Sequence, residues 1–283
     1  MRCLLSWLVT ASLQFLAGCV SHETPLAPSP TSPLASIGGG KISLSASDAE
    51  AIGVKIWKNE CAGSFEGLTT WNSGEDFPSL GIGHFIWYVD GRPGPFEESF
   101  PKLVNYMEAS QVAAPRWVAD AKGSPWKSRT EFNNAKNSPQ MRELRQFLAN
   151  TVPTQTNFIV LRLEQALPKM KAATKGAGDR KRLEENFYKV ASSRSGVYAL
   201  IDYVNFKGEG VKAEEKYNGV GWGLRDVLLE MKKTTEGQAA ANEFSEAAKR
   251  TLKRRIANSP PSRGESRWEA GWINRCESYK HGF

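Results

Sequence analysis

The feature that most constrains this chain is a change of pattern just after residue 60. Before it, Ala49, Ile52 and Ile56 recur at helical spacing with Trp57 beside them, which marks one apolar face of a helix. After it, Gly63, Gly67, Gly74, Gly81 and Gly83 interrupt any helix, and the β-formers of Leu68 to Trp71 and Leu80 to Val89 predict a small antiparallel hairpin or sheet. Ser47 reads as the N-cap of the first helix, because Glu50 follows three residues later in a capping-box arrangement. The helix then delivers Glu60 at its C-terminal end, where apolar core gives way to glycine-rich loop.

Everything downstream reads as helices with short breaks. The candidates are 96–109, 138–150, 154–174, 180–191, 196–205, 223–233, 238–257 and 265–279. Many helices and one β region predict an α+β chain, predominantly α-helical, with a small β-hairpin after the first helix. Of the 283 residues, 40% are apolar and 24% charged, a composition that supports a packed core and excludes general disorder.

The N-terminus is laid out differently. Arg2, the apolar run from Cys3 to Phe15 and then Leu16-Ala17-Gly18-Cys19 form an export signal whose last four residues resemble a bacterial lipobox. That resemblance implies cleavage after residue 18, a lipid on Cys19 that anchors the protein to a membrane, and, with Val20 next, an outer-membrane location facing the periplasm. Residues 19–45 read as a tether, with Pro25, Pro28, Pro30 and Pro33 followed by Gly38-Gly39-Gly40. As a flexible coil such a segment spans on the order of 25 Å. The folded domain is then expected over 46–283. The formal net charge of +7 favours anionic surfaces. For an exported lipoprotein that means wall polymer or phospholipid, not nucleic acid.

The segment Ile56-Trp57-Lys58-Asn59-Glu60-Cys61, with Ser79-Leu80-Gly81-Ile82-Gly83-His84-Phe85 after it, resembles the catalytic region of phage-type lysozymes in the lysozyme-like superfamily. The likeness covers residues 47–90. It implies a lysozyme-like fold over 46–283, and that Glu60 is the general acid of a glycoside hydrolase acting on a β-1,4-linked amino-sugar polymer, foremost peptidoglycan. Such an acid needs a raised pKa, and burial among Trp57 and Phe85 would supply one. Glycoside hydrolysis generally uses a second carboxylate. By position in the resembled hairpin this is Asp76, then Glu75, then Glu66, with Glu209 in reserve. Ser79 stands where the resemblance implies a water-positioning threonine. His84 matches a histidine that is structural there, and it counts among the residues lining the substrate site.

A second block, Ile201 to Gly210 and Tyr217 to Leu224, is rich in glycine and aromatics. It reads either as a tight turn between helices or as the far wall of a cleft, in which Asn205, Lys207, Glu209, Tyr217 and Trp222 meet sugar hydroxyls, acetamido groups or carboxylates. Trp71, Trp87 and Trp222 are candidates to stack on sugar rings; Trp57, Trp268 and Trp272 read as core. Three histidines, His22, His84 and His281, cannot build a zinc site of ordinary spacing, and no cofactor is implied. Cys61 and Cys276 are the thiols left in a compartment where disulfides persist, so a bridge between them and two separate buried thiols both stay open. The basic run Lys249, Arg250, Lys253, Arg254 and Arg255 reads as a solvated face or as an anion-attracting patch. Within the enzyme class the rival readings are a lytic transglycosylase and a chitosanase-like hydrolase, and the missing Glu-Ser and Gly-Leu-Met-Gln signals argue against the common transglycosylases. A non-catalytic peptidoglycan-binding lipoprotein is the reading from another class.

Overall fold

The first helix, α1 (Ala46–Cys61), stops where Ala62 and Gly63 turn left-handed at φ 52° and 65°. Its N-cap is Ser45, two residues before the expected Ser47, and the Ser45 hydroxyl accepts the Asp48 N–H. A computed structural model describes residues 42–281. The expected signal segment, the Cys19 lipidation site and the tether as far as residue 41 lie outside the described residues. Ile42 and Leu44 already pack on the core, and the Ile42 N–H donates to Glu164 at 3.0 Å, so packed structure begins before residue 46.

After α1 come β1 (Thr69–Thr70), β2 (Ser79–Leu80) and β3 (Phe85–Ile86), a three-stranded antiparallel sheet in that order with Thr70 opposite Ser79 and Leu80 opposite Phe85. The expected β region is therefore present, with strands of only two residues. Four helices cover it: α2 (Phe100–Ala109), α3 (Arg116–Ala119), α4 (Arg129–Asn134) and α5 (Pro139–Asn150). Between sheet and helices lie Trp71, Trp87, Trp126, Phe100 and Phe132, all buried, with Trp126 and Phe132 edge to face at 5.1 Å. Helix α2 begins four residues later than expected because Pro101 belongs in its first turn, where a missing N–H costs nothing.

The long α6 (Val152–Ala172) packs along α1. The two helices come close at Gly53, where a methyl group would collide with Val152 and Thr156. Beyond α6 stand α7 (Ala177–Ala191), α8 (Arg194–Lys207), α9 (Leu224–Glu230), α10 (Gln238–Asn258) and α11 (Glu269–Glu277). Helix α10 is the axis of this group and touches each of the other four. The single helix expected over 265–279 is α11 with a 3-10 turn at either end.

A second hairpin, β4 (Lys216–Tyr217) with β5 (Val220–Gly221), overturns the expectation of only one β region. Its signal was present in the sequence. Asn218 and Gly219 take φ of 51° and 78°, the pair of positive φ values that a two-residue Asn-Gly hairpin turn requires. Among the described residues, no helix is long and apolar enough to cross a membrane.

One buried side chain ties α6 to the sheet. Gln155 accepts the Ile82 N–H at 2.9 Å and donates to the Leu148 carbonyl at 2.7 Å, with no exposed surface of its own. Gly81 sits against it at φ 70°, and a side chain there would strike the Gln155 oxygen. Gln155→Leu leaves the buried Ile82 N–H without its acceptor, while the Leu148 carbonyl keeps the Thr151 N–H at 3.3 Å. Since an unsatisfied buried group costs roughly 1–3 kcal/mol, the variant is expected to lose about 1–3 kcal/mol in urea unfolding.

Candidate active site at the end of the first helix

Glu60 occupies the last turn of α1 with 29% of its side chain exposed. The apolar enclosure expected for it is not what surrounds the carboxylate. Trp57 turns its indole N–H to the Ser64 carbonyl at 2.9 Å, and Phe85 is buried against Phe158. The charged neighbour of Glu60 is Arg275 of α11, whose Nη2 lies 3.7 Å from Oε1.

Arg275 is itself fixed from below. It donates to Asp202 through Nε at 2.7 Å and Nη2 at 2.8 Å, a two-pronged grip on a carboxylate only 3% exposed. The Tyr279 hydroxyl donates to the same carboxylate at 2.7 Å, and Asn59, beside Glu60, donates to the Tyr198 oxygen at 2.7 Å. Burial pushes the Tyr198 and Tyr279 hydroxyls upward in pKa and the Asp202 charge adds to it, so both stay protonated donors. Burial is the largest influence and acts against the Arg275 charge, but the Asp202 hydrogen bonds, the Asp202 charge and the smaller contributions of Tyr279 and Glu60 together hold the guanidinium above its ordinary value. The result is a preset cation beside the Glu60 carboxylate.

None of Arg275, Asp202, Tyr198 and Tyr279 was singled out from the sequence as a site residue. A faint signal existed in two i,i+4 pairs, Tyr198 with Asp202 and Arg275 with Tyr279, which place each pair on one helix face. Nothing in the spacing could bring the two faces together across 73 residues.

The expected second carboxylates lie elsewhere. Asp76 and Glu75 sit in the loop between β1 and β2, lining a groove of about 690 Å³ with Trp71, Phe96, Arg92 and Arg129. Glu60 is not among the groove's lining residues. Glu75 also accepts a hydrogen bond from Asn72 at 3.1 Å, and Glu66 is exposed in a 3-10 turn. Ser79 is buried within β2, where its carbonyl accepts the Thr70 hydroxyl. That burial takes it away from any bulk water it was expected to position.

Asn205 and Glu209 do line one cavity, of about 300 Å³, together with Gly83, Phe85 and Lys169. Lys169 stands 3.5 Å from Glu209, so the reserve carboxylate is ion-paired. Tyr217 and Trp222 pack on one another at 4.5 Å, and the Tyr217 hydroxyl donates to buried Glu265 at 2.8 Å. The tryptophans divide differently from expectation: Trp71, Trp87 and Trp222, the candidates for stacking, are buried, Trp57 and Trp272 pack against the core as expected, and Trp268, expected in the core, is exposed. Indoles ringed by apolar neighbours and indoles at a helix edge look alike in a linear pattern.

Cys61 and Cys276 are separate free thiols, not a bridge. The Cys61 sulfur faces the Gly81 carbonyl at 3.7 Å and His84 Nε2 at 3.5 Å, while Cys276 is buried where α11 packs on α10. His84 takes φ 47°, a left-handed value rare for its type, which aims the ring at this thiol. The pair is no nucleophilic dyad. Burial, with the Glu60 charge second, pushes the Cys61 thiol up to about 12. Cys276 is likewise raised to about 12, by burial first and then by the charge of Asp202.

The basic run on α10 is mostly paired with acids, and of its five cations only Lys253 is exposed with no ion pair among the described residues. Arg250 pairs with Glu230 and Glu243, Arg254 with Glu230, Arg255 with Glu265, and Lys249 with Glu246 and Glu277. Among the described residues, no cluster of three or more His, Cys, Asp or Glu is arranged to hold a metal. Compared with protein-family models, curated proteins and solved structures, the chain matches none.

Two outcomes follow from this geometry. In the folded chain Cys61 and Cys276 should resist iodoacetamide at pH 8, read by peptide mass spectrometry, and the melting temperature should not move on adding a reductant. Glu265 is fully buried, and although desolvation opposes its charge, hydrogen bonds from Arg255 and Tyr217 bring its carboxyl down to about 2 from 4.5. A depressed carboxyl contributes stability above its unfolded pKa and loses it as pH falls through the folded one. Thermal stability should therefore decline between pH 4.5 and 2, and Glu265→Gln should flatten that part of the curve at lower overall stability.

Proposed function

We propose that this protein cleaves glycosidic bonds in a β-1,4-linked amino-sugar polymer of the bacterial envelope, foremost peptidoglycan, with Glu60 as the proton donor. The likeness of residues 47–90 to phage-type lysozymes is part of the same proposal. The observation that carries the reading is the placement of Glu60. A partly exposed carboxylate ends a helix beside the glycine-rich turn of a small antiparallel sheet. Such a group can approach a leaving oxygen from solvent while its orientation is set by the protein.

A specific observation favours a second reading within the same chemistry. Asp76 and Glu75 line a groove that Glu60 does not line, and Glu209 is tied to Lys169. Cleavage that relies on one carboxylate, with a hydroxyl of the sugar itself attacking the anomeric carbon, asks for no second acidic residue. Products separate the two. Hydrolysis leaves reducing ends; internal attack leaves anhydro ends.

Digestion of purified peptidoglycan sacculi, with fragments read by mass spectrometry, tests the proposal. Wild type should release fragments. Glu60→Gln should lower the rate by at least about 100-fold, since positioned acid catalysis contributes on the order of 10²–10⁴. Wall binding without any release by wild type would leave a wall-binding lipoprotein as the better account.

A further inference from the structure

Beside Glu60 begins a line of alternating cations and aromatic rings that ends at the surface. The Arg275 guanidinium lies 4.4 Å from the centre of the Phe206 ring. Lys207 Nζ stands 3.9 Å from that same ring and 3.4 Å from the Trp272 ring. Trp272 stacks on Trp268 at 5.9 Å with 30° between planes, and Arg267 lies 4.5 Å over Trp268. Trp268 is 40% exposed, and its only counterpart among large exposed apolar side chains of the described residues is Phe96.

The charges along this line are not balanced. Arg275 is matched by Asp202, and Arg255 and Arg263 by Glu265. Lys207 and Arg267 form no ion pair among the described residues; their contacts are with rings. A half-buried ammonium without a counter-ion is costly, and a carboxylate arriving from solvent would relieve that cost. The stacked indoles beside it offer the flat apolar face that suits the C–H side of a sugar ring.

We propose that the surface running from Glu60 across Arg275, Phe206, Lys207 and Trp272 to Trp268 binds a glycan that carries carboxylates, with Trp268 stacking on a sugar and Lys207 receiving a carboxylate. This deepens the glycosidase reading and rests on it. A neutral amino-sugar polymer would use only the stacking half.

The groups facing Lys207 are Arg255 from α10, Glu265 from the 3-10 turn before α11, and Arg275 and Cys276 from α11. Burial first, and then the repulsion of Arg255, brings the Lys207 ammonium down to about 7. Glu265 at about 2, Cys276 at about 12 and Arg275, held above its ordinary value, keep their charge states around neutrality. Lys207 is thus the member of this set that loses its charge as pH rises from 6 to 8.5.

The test uses the full chain carrying Glu60→Gln, so that ligand survives titration. By calorimetry it is titrated with an N-acetylglucosamine–N-acetylmuramic acid tetrasaccharide bearing stem peptides, and with uncharged chitotetraose. The peptide-bearing ligand should bind roughly tenfold tighter, the size of one charge-assisted hydrogen bond, and should lose most of that advantage by pH 8.5. Lys207→Met should remove the advantage and Lys207→Arg keep it without the pH dependence; Trp268→Ala should weaken both ligands. Thermal unfolding of each variant separates lost binding from lost fold. Equal affinity of folded Lys207→Met and its parent for the peptide-bearing ligand overturns the proposal. So does a Trp268-dependent attachment to anionic phospholipid vesicles with glycan affinity unchanged. If wild type cleaves no glycan yet these titrations behave as expected, the glycosidase reading fails and the binding surface stands. If wild type cleaves but the variants bind like the parent, the surface fails alone.

Discussion

The buried pair of Asp202 and Arg275 is the interaction on which the site depends. Asp202 belongs to α8 and Arg275 to α11, and two hydrogen bonds under 3 Å lock one to the other. A carboxylate so buried has no water to fall back on, so it holds its partners or destabilises the fold. Tyr279 and Tyr198 fill the remaining acceptor capacity, and Asn59 carries the network to the end of α1. The position of Glu60 is thereby set by residues far away in the chain.

The sheet end obeys a different constraint. Its strands have two residues each, too few to persist alone, and they are held by what covers them. Trp87, Trp126 and Phe132 fill the space above, while Gln155 reaches in from α6 to satisfy the turn at Ile82. That turn then fixes His84 and Cys61 next to the helix end. Polar and apolar packing converge on one short segment, which is why glycine is required at Gly81 and a collision-free surface at Gly53.

Charge organisation follows the same division between locked and open. Most cations of α10 are consumed by acids from α9, α11 and α10 itself, so the net charge of the chain says little about where an anion could bind. The unmatched cations that matter are Lys207 and Arg267, both of which lie against aromatic rings. Sequence pattern drew attention to the dense run of basic residues. Structure moves it to two scattered ones.

Local rules determined much of this protein. The end of α1 at Glu60 and Cys61, the β region between Leu68 and Phe85, and the caps at Ser138 and Pro139 all follow from glycine, proline and side-chain hydrogen bonds acting within a few residues. The predominantly helical α+β character follows from period alone. Only the tertiary structure decided which tryptophans are core, that Cys61 and Cys276 stay apart, that Asp76 and Glu75 line a groove separate from Glu60, and that Arg275 stands beside it. The reason is physical. Helix signals are written in neighbours three or four apart, whereas burial and ion pairing across 73 residues or more depend on how finished helices pack, and a linear pattern carries no record of that.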